Sequence, residues 1–107
     1  MSVIMTLWVQ GDPEKLESVA AEKQDLLAGI GERAKEHGVV AHRFYGNTEG
    51  GQIMVIDEWP DKESFNRFFE DQEEPIGELM QAAGISGQPG INFWRKLETH
   101  DEIGWSD

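Results

Sequence analysis

Residues Val3–Gln10 alternate with the two-residue period of a strand, and both faces of that strand are largely apolar. Val3, Met5, Leu7 and Val9 fall on one side; Ile4, Thr6, Trp8 and Gln10 fall on the other. A strand of this kind belongs at the centre of a sheet, with something covering each side. At 107 residues the chain makes one domain. A chain of that length buries roughly 65% of its unfolded surface, enough for one two-layer core.

Helical signals follow the strand. Asp12-Pro13-Glu14 combines an N-cap, a proline at the first helical position and an acid in the first turn. Leu16, Val19, Ala20, Lys23, Leu26, Leu27, Ile30 and Ala34 then recur at helical spacing, predicting one apolar stripe out to His37, with Gly38 closing the helix. Gly29 and Gly31 each cost this helix about 1 kcal/mol relative to alanine, a cost that close packing there would explain. Residues 39–45 and 52–59 are β-rich and joined by Gly46-Asn47-Thr48-Glu49-Gly50-Gly51, a hairpin with a longer loop. Asp61 is the expected N-cap of the next helix, whose aromatic face is Phe65, Phe68 and Phe69. Pro75 interrupts it, and Ile76, Leu79, Met80 and Ala83 continue on a second piece. Gly84 and Gly87-Gln88-Pro89-Gly90 lead into a last strand over 91–97. The order β-α-β-β-α-β predicts an α+β, ferredoxin-like domain over residues 1–98, with a four-stranded antiparallel sheet and helices on one face. Residues 99–107 form an acidic tail that is either frayed or docked through Trp105.

The helix-free face would carry Ile4, Thr6 and Trp8, an apolar surface that a two-fold axis covers with a second copy. A homodimer with sheets face to face is therefore expected. The net charge of −12, from 21 acids and nine bases, argues against nucleic acid and anionic membrane as partners, which it repels over roughly a Debye length. The absence of cysteine excludes a disulfide scaffold, a Cys-ligated metal and a thiol nucleophile. The N-terminus lacks the basic region and cleavage site of a signal peptide, and no apolar run approaches the ~20 residues of a membrane span. A soluble, cytoplasmic protein is the expectation.

Pairing Phe44 with Ile53 and His42 with Val55 sets His42 and Asp57 on one face as diagonal neighbours, within reach of a hydrogen bond or one bridging water. A carboxylate that fixes the tautomer of an imidazole makes it a general base; the same pair can equally be a polar contact at the end of a sheet. Trp59 either anchors the following helix on the sheet or lines a pocket, and Phe65 and Phe69 serve core and pocket wall. Arg43 and Glu58 are expected as a cross-strand ion pair on the opposite face. His37 suits a helix C-terminus. His100, Asp101 and Glu102 are contiguous ligands on a tail, a weak arrangement for a metal, and no metal is expected.

The stretches Gly38-Val39-Val40-Ala41-His42-Arg43-Phe44-Tyr45 and Val55-Ile56-Asp57-Glu58-Trp59-Pro60-Asp61-Lys62-Glu63-Ser64-Phe65, taken with the element order, resemble the dimeric α+β barrel proteins. Within them the resemblance is to the antibiotic biosynthesis monooxygenase-like group, and it covers nearly the whole chain. It implies dimerisation into an α+β barrel, and it spans cofactor-independent oxygenases acting on polycyclic phenols or quinols, haem-degrading enzymes, isomerases and proteins without known activity. The haem-degrading branch uses an Asn on the first strand and a Trp and a His on the second helix. Here Leu7 and Phe68 stand at the Asn and Trp positions, and no His lies between His42 and His100, which disfavours haem. The oxygenase branch needs no cofactor, because an electron-rich substrate anion itself reduces oxygen. On that reading His42 is the base, Asp57 its orienter, and Phe44, Trp59, Phe65 and Phe69 bind the aromatic substrate. Fold alone does not fix function, so two other readings stand beside it. One is a non-catalytic dimeric module that binds a small hydrophobic ligand or serves as an accessory subunit. The other is a lyase or isomerase using the same pair without oxygen.

Overall fold

The computed structural model describes residues 1–105 and contains eight elements: β1 (Val3–Gln10), α1 (Pro13–Glu22), α2 (Gln24–Glu36), β2 (Ala41–Asn47), β3 (Gln52–Trp59), α3 (Lys62–Asp71), α4 (Glu73–Ala82) and β4 (Gly90–Trp94). The end of the acidic tail, residues 106 and 107, lies outside the described residues. The strands form one antiparallel sheet in the order β2-β3-β1-β4, so the doubly apolar β1 is central. The ferredoxin-like α+β architecture is the one expected from the element order.

Local chemistry accounts for most boundaries. Asp12 caps α1 by accepting the backbone N–H of Glu14 at 3.0 Å, with Pro13 at the first helical position. Asp61 caps α3 through the N–H of Ser64 at 2.7 Å. This bond is the chief reason its carboxyl lies below the usual carboxylate range. Gly38 takes φ 98° after α2, so that the N–H of Val39 reaches back to the carbonyl of Ala34 at 3.0 Å.

Both helical regions are divided in two, the second as its proline predicts. The second bends at Gln72 (φ −108°, ψ 22°), because the ring of Pro75 would meet the carbonyl of Asp71 four residues earlier. Pro75 then sits in the first turn of α4, where no intrahelical N–H is required. The single helix expected from 13 to 37 is instead α1 and α2, divided at Lys23 (φ −116°, ψ 49°). No proline or glycine marks that division.

Two further expectations are corrected. The hairpin pairs Asn47 with Gln52, Phe44 with Val55 and His42 with Asp57, two residues away from the expected register. Asn47 accepts the N–H of Gly50 at 3.0 Å and Gly51 takes φ 63°, which moves the loop's centre on by one residue. The last strand ends at Trp94 instead of residue 97, since its partner Ile4 is already next to the start of β1.

Helices cover one side of the sheet only. Met5, Leu7, Val9, Ile53 and Trp59 pack there against Leu16, Val19, Phe65, Phe68 and Leu79. Trp59, wholly buried, lies 5.8 Å from Phe65 and 5.3 Å from Phe68 between ring centroids. The other side leaves Ile4, Trp8, Tyr45, Met54 and Trp94 exposed.

Candidate functional site

Strand alternation sends His42 and Phe44 of β2, and Ile53, Val55, Asp57 and Trp59 of β3, toward the helices. His42 stands directly opposite Asp57, and its Nδ1 lies 2.7 Å from Asp57 Oδ1. The indole N–H of Trp59 donates to Asp57 Oδ2 at 3.0 Å. Asp57, only 4% exposed, thus has a partner at each oxygen. Because a carboxylate only accepts, the contact places the imidazole proton on Nδ1 and leaves Nε2 of the neutral ring as a free acceptor. The imidazole and the ring of Phe44 meet in a T-shaped contact, centroids 5.1 Å apart and planes at 84°.

Between sheet and helices lies a cavity of about 610 Å³, and both His42 and Asp57 line it. Phe44, Phe65 and Phe69 are in its wall. Trp59 is not; it is sealed in the core behind Asp57, which it holds. The sequence reading missed the aliphatic part of the wall, in which Leu27, Ile30, Ile76 and Met80 take part. Their helical spacing was visible, but it marks core and cavity wall alike. In this largely apolar chamber, to which Lys35 also contributes, the His42–Asp57 pair can take a proton from a bound molecule and hold the resulting charge close to a fixed carboxylate.

The remaining candidates lie elsewhere. Arg43 faces the other side of the sheet opposite Ile56, and its Nη1 donates to the hydroxyl of Tyr45 at 3.1 Å. The expected pair with Glu58 does not form: Glu58 stands opposite Ala41, two residues along β2 from Arg43, and accepts from the hydroxyl of Ser2. His37 caps α2 and meets Asp71 at 3.2 Å. In the tail, Asp101 accepts from Thr99 and Glu102 pairs with Lys96. Among the described residues no group of three or more His, Cys, Asp or Glu side chains converges to hold a metal, and no helix is long and apolar enough to cross a membrane.

A four-stranded antiparallel sheet with its helices on one face, and a His–Asp pair opening into the space between the layers, defines a ferredoxin-like α+β protein with an internal apolar chamber. No family model and no curated protein matches the chain. Solved structures do match, and they include antibiotic biosynthesis monooxygenase-like proteins. A dimeric ferredoxin-like protein from an uncultured marine organism is similar with a TM-score of 0.66 and 14% identity, covering 98% of this chain and 93% of that one. An antibiotic biosynthesis monooxygenase aligns at TM-score 0.59 and 14% identity, over 89% of this chain and 98% of that one. SnoaB, a cofactor-independent oxygenase from Streptomyces nogalater, aligns in a point-mutant form at TM-score 0.59 and 19% identity, over 94% and 98%. At these identities the likeness is one of fold.

Proposed function

We propose that this chain is a cofactor-independent monooxygenase acting on a polycyclic phenol, quinol or anthrone bound in the cavity. The observation that carries the reading is the His42–Asp57 pair lining an apolar chamber of about 610 Å³, a size that suits such a ligand. Nε2 of His42 removes the substrate's acidic proton, and the imidazolium so formed stays bonded to Asp57. The electron-rich anion then reduces dioxygen. One oxygen atom enters the ring as a carbonyl, the other leaves as water, and the substrate supplies all the electrons. Phe44, Phe65 and Phe69 bind the rings; Trp59 positions Asp57 and through it His42. The cofactor-independent oxygenase among the structural neighbours supports this choice within the fold.

Oxygen uptake with a panel of anthrones and quinols tests it. The wild-type protein is expected to consume oxygen in proportion to product, and His42→Ala to lose turnover while still binding an apolar dye. Turnover of substrate without oxygen uptake identifies a lyase or isomerase. Tight dye binding with neither uptake nor product identifies a non-catalytic ligand-binding module.

We propose further that the chain is a homodimer, joined through the helix-free face of the sheet into an α+β barrel. The exposed Trp8, Tyr45, Met54 and Trp94 on that face support it, as does the dimeric neighbour.

A further inference from the structure

The helix-facing side of the sheet is not closed evenly. Met5, Leu7 and Val9 of β1 and Ile53 and Asp57 of β3 are buried, whereas on the edge strand β2 the side chain of His42 is 48% exposed and Phe44 is 37% exposed. The cavity therefore opens along β2. The helix that leads into β2 is α2, through residues 37–40, and α2 lends Leu27, Ile30, Gly31 and Ala34 to the cavity lining. Glycine weakens a helix interior, yet α2 holds Gly29 and Gly31. A Cβ built on either meets no atom within 4 Å, so close packing, the explanation suggested by the sequence, accounts for neither. They differ in position: Gly31 lines the cavity and Gly29, which is exposed, does not.

Resting on the reading of the cavity as the ligand site, we propose that Gly31 is a specificity-determining residue. The missing side chain keeps the open side of the cavity wide enough for a flat ligand of several fused or linked rings to lie against His42. Any side chain at position 31 starts in unfilled space at the cavity wall and takes volume from the ligand. The residue selects for size, and the class it admits is apolar and multi-ring, in keeping with a wall that holds Phe44, Phe65 and Phe69. Gly29 borders no ligand space and serves as the internal control on the same helix.

The test uses the full chain and two probes: 1-anilinonaphthalene-8-sulfonate, three rings, followed by fluorescence, and 4-nitrophenol, one ring, followed by difference absorbance. Gly31→Leu is expected to weaken the three-ring probe about tenfold or more, as loss of well-filled apolar contact does, while the one-ring probe changes less than about twofold. Gly31→Ala should fall between wild type and Gly31→Leu. It should also melt about 4–8 °C above wild type, which separates lost binding from lost folding. Gly29→Leu is expected to leave both affinities unchanged. Wild-type binding of the three-ring probe by Gly31→Leu, or an equal loss in Gly29→Leu, overturns the assignment and leaves the ligand-site reading intact. Failure of the wild-type protein to bind either probe overturns the ligand-site reading, and this inference with it.

Discussion

Asp57 is the residue on which the candidate site turns, because a carboxylate this deeply buried is tolerable only with its oxygens occupied. His42 occupies one and Trp59 the other. Replacing Trp59 by phenylalanine keeps most of the ring packing and removes only the donor, leaving Oδ2 unpaired. That change should cost about 1–3 kcal/mol in urea unfolding. It should also lower kcat more than it changes dye affinity, since what is lost is the bearing of Asp57 on His42. If the variant keeps full stability, the indole bond is not what holds Asp57. The juxtaposition of His42 and Asp57 was legible in the sequence despite a register wrong by two residues, because an even slip leaves every side chain on its own face. The role of Trp59 was legible only in part. Its place two residues beyond Asp57 puts both on one side of β3, but its own bulk at a strand-to-helix junction argued equally for anchoring, and it does both.

At the scale of elements, the bend between α3 and α4 has a purpose in packing that its own sequence does not announce. Pro75 made a break expected, and the ring's clash with the Asp71 carbonyl places it at Gln72. Sequence order does not reveal that Asp71 then meets α2. Arg33 donates to Asp71 Oδ2 through Nε at 2.9 Å and Nη2 at 2.6 Å, His37 lies 3.2 Å away, and Glu36 takes the other arm of Arg33 at 2.8 Å. The bonds from Arg33, and after them the one from His37, hold the Asp71 carboxyl below the usual carboxylate range. A carboxyl whose folded value is lowered adds stability above its unfolded value and loses it as pH falls through the folded one. Thermal melts taken from neutrality down through about pH 4 should therefore drop more steeply for the wild-type protein than for Asp71→Asn. The variant should be the less stable of the two at neutral pH. Parallel curves would mean that the cluster, partly open to solvent, does not bind α2 to α3 in solution. The division at Lys23 has no counterpart to Pro75, so a periodic stripe running unbroken from Leu16 to Ala34 concealed it.

For the whole molecule the question is what covers the second face of β1. The sequence showed that face to be apolar, and the register turns it into a surface: Trp8, Met54 and Tyr45 stand in one row across three strands, while Trp94 sits beside Ile4 and donates to the Thr6 hydroxyl at 2.8 Å. Acids are sparse there and gather instead on the helices and the tail, so the −12 charge solvates the outside and leaves the row free to pair. A second copy brings the same charge, however, and the two coats repel until salt screens them over about 8–10 Å. Sedimentation equilibrium should then show a dimer whose dissociation constant falls as ionic strength rises from low to physiological. Trp8→Glu places one charge in the middle of the row, twice over in a symmetric pair, and should yield a monomer with the wild-type far-ultraviolet dichroism. Tyr45→Glu, on the edge strand where no core contact is at stake, should do the same. A wild-type protein that sediments as a monomer at every concentration and salt would leave the face open and remove the barrel. A monomeric Trp8→Glu that still binds the apolar dye would show that the cavity on the far side of the sheet is complete within one chain.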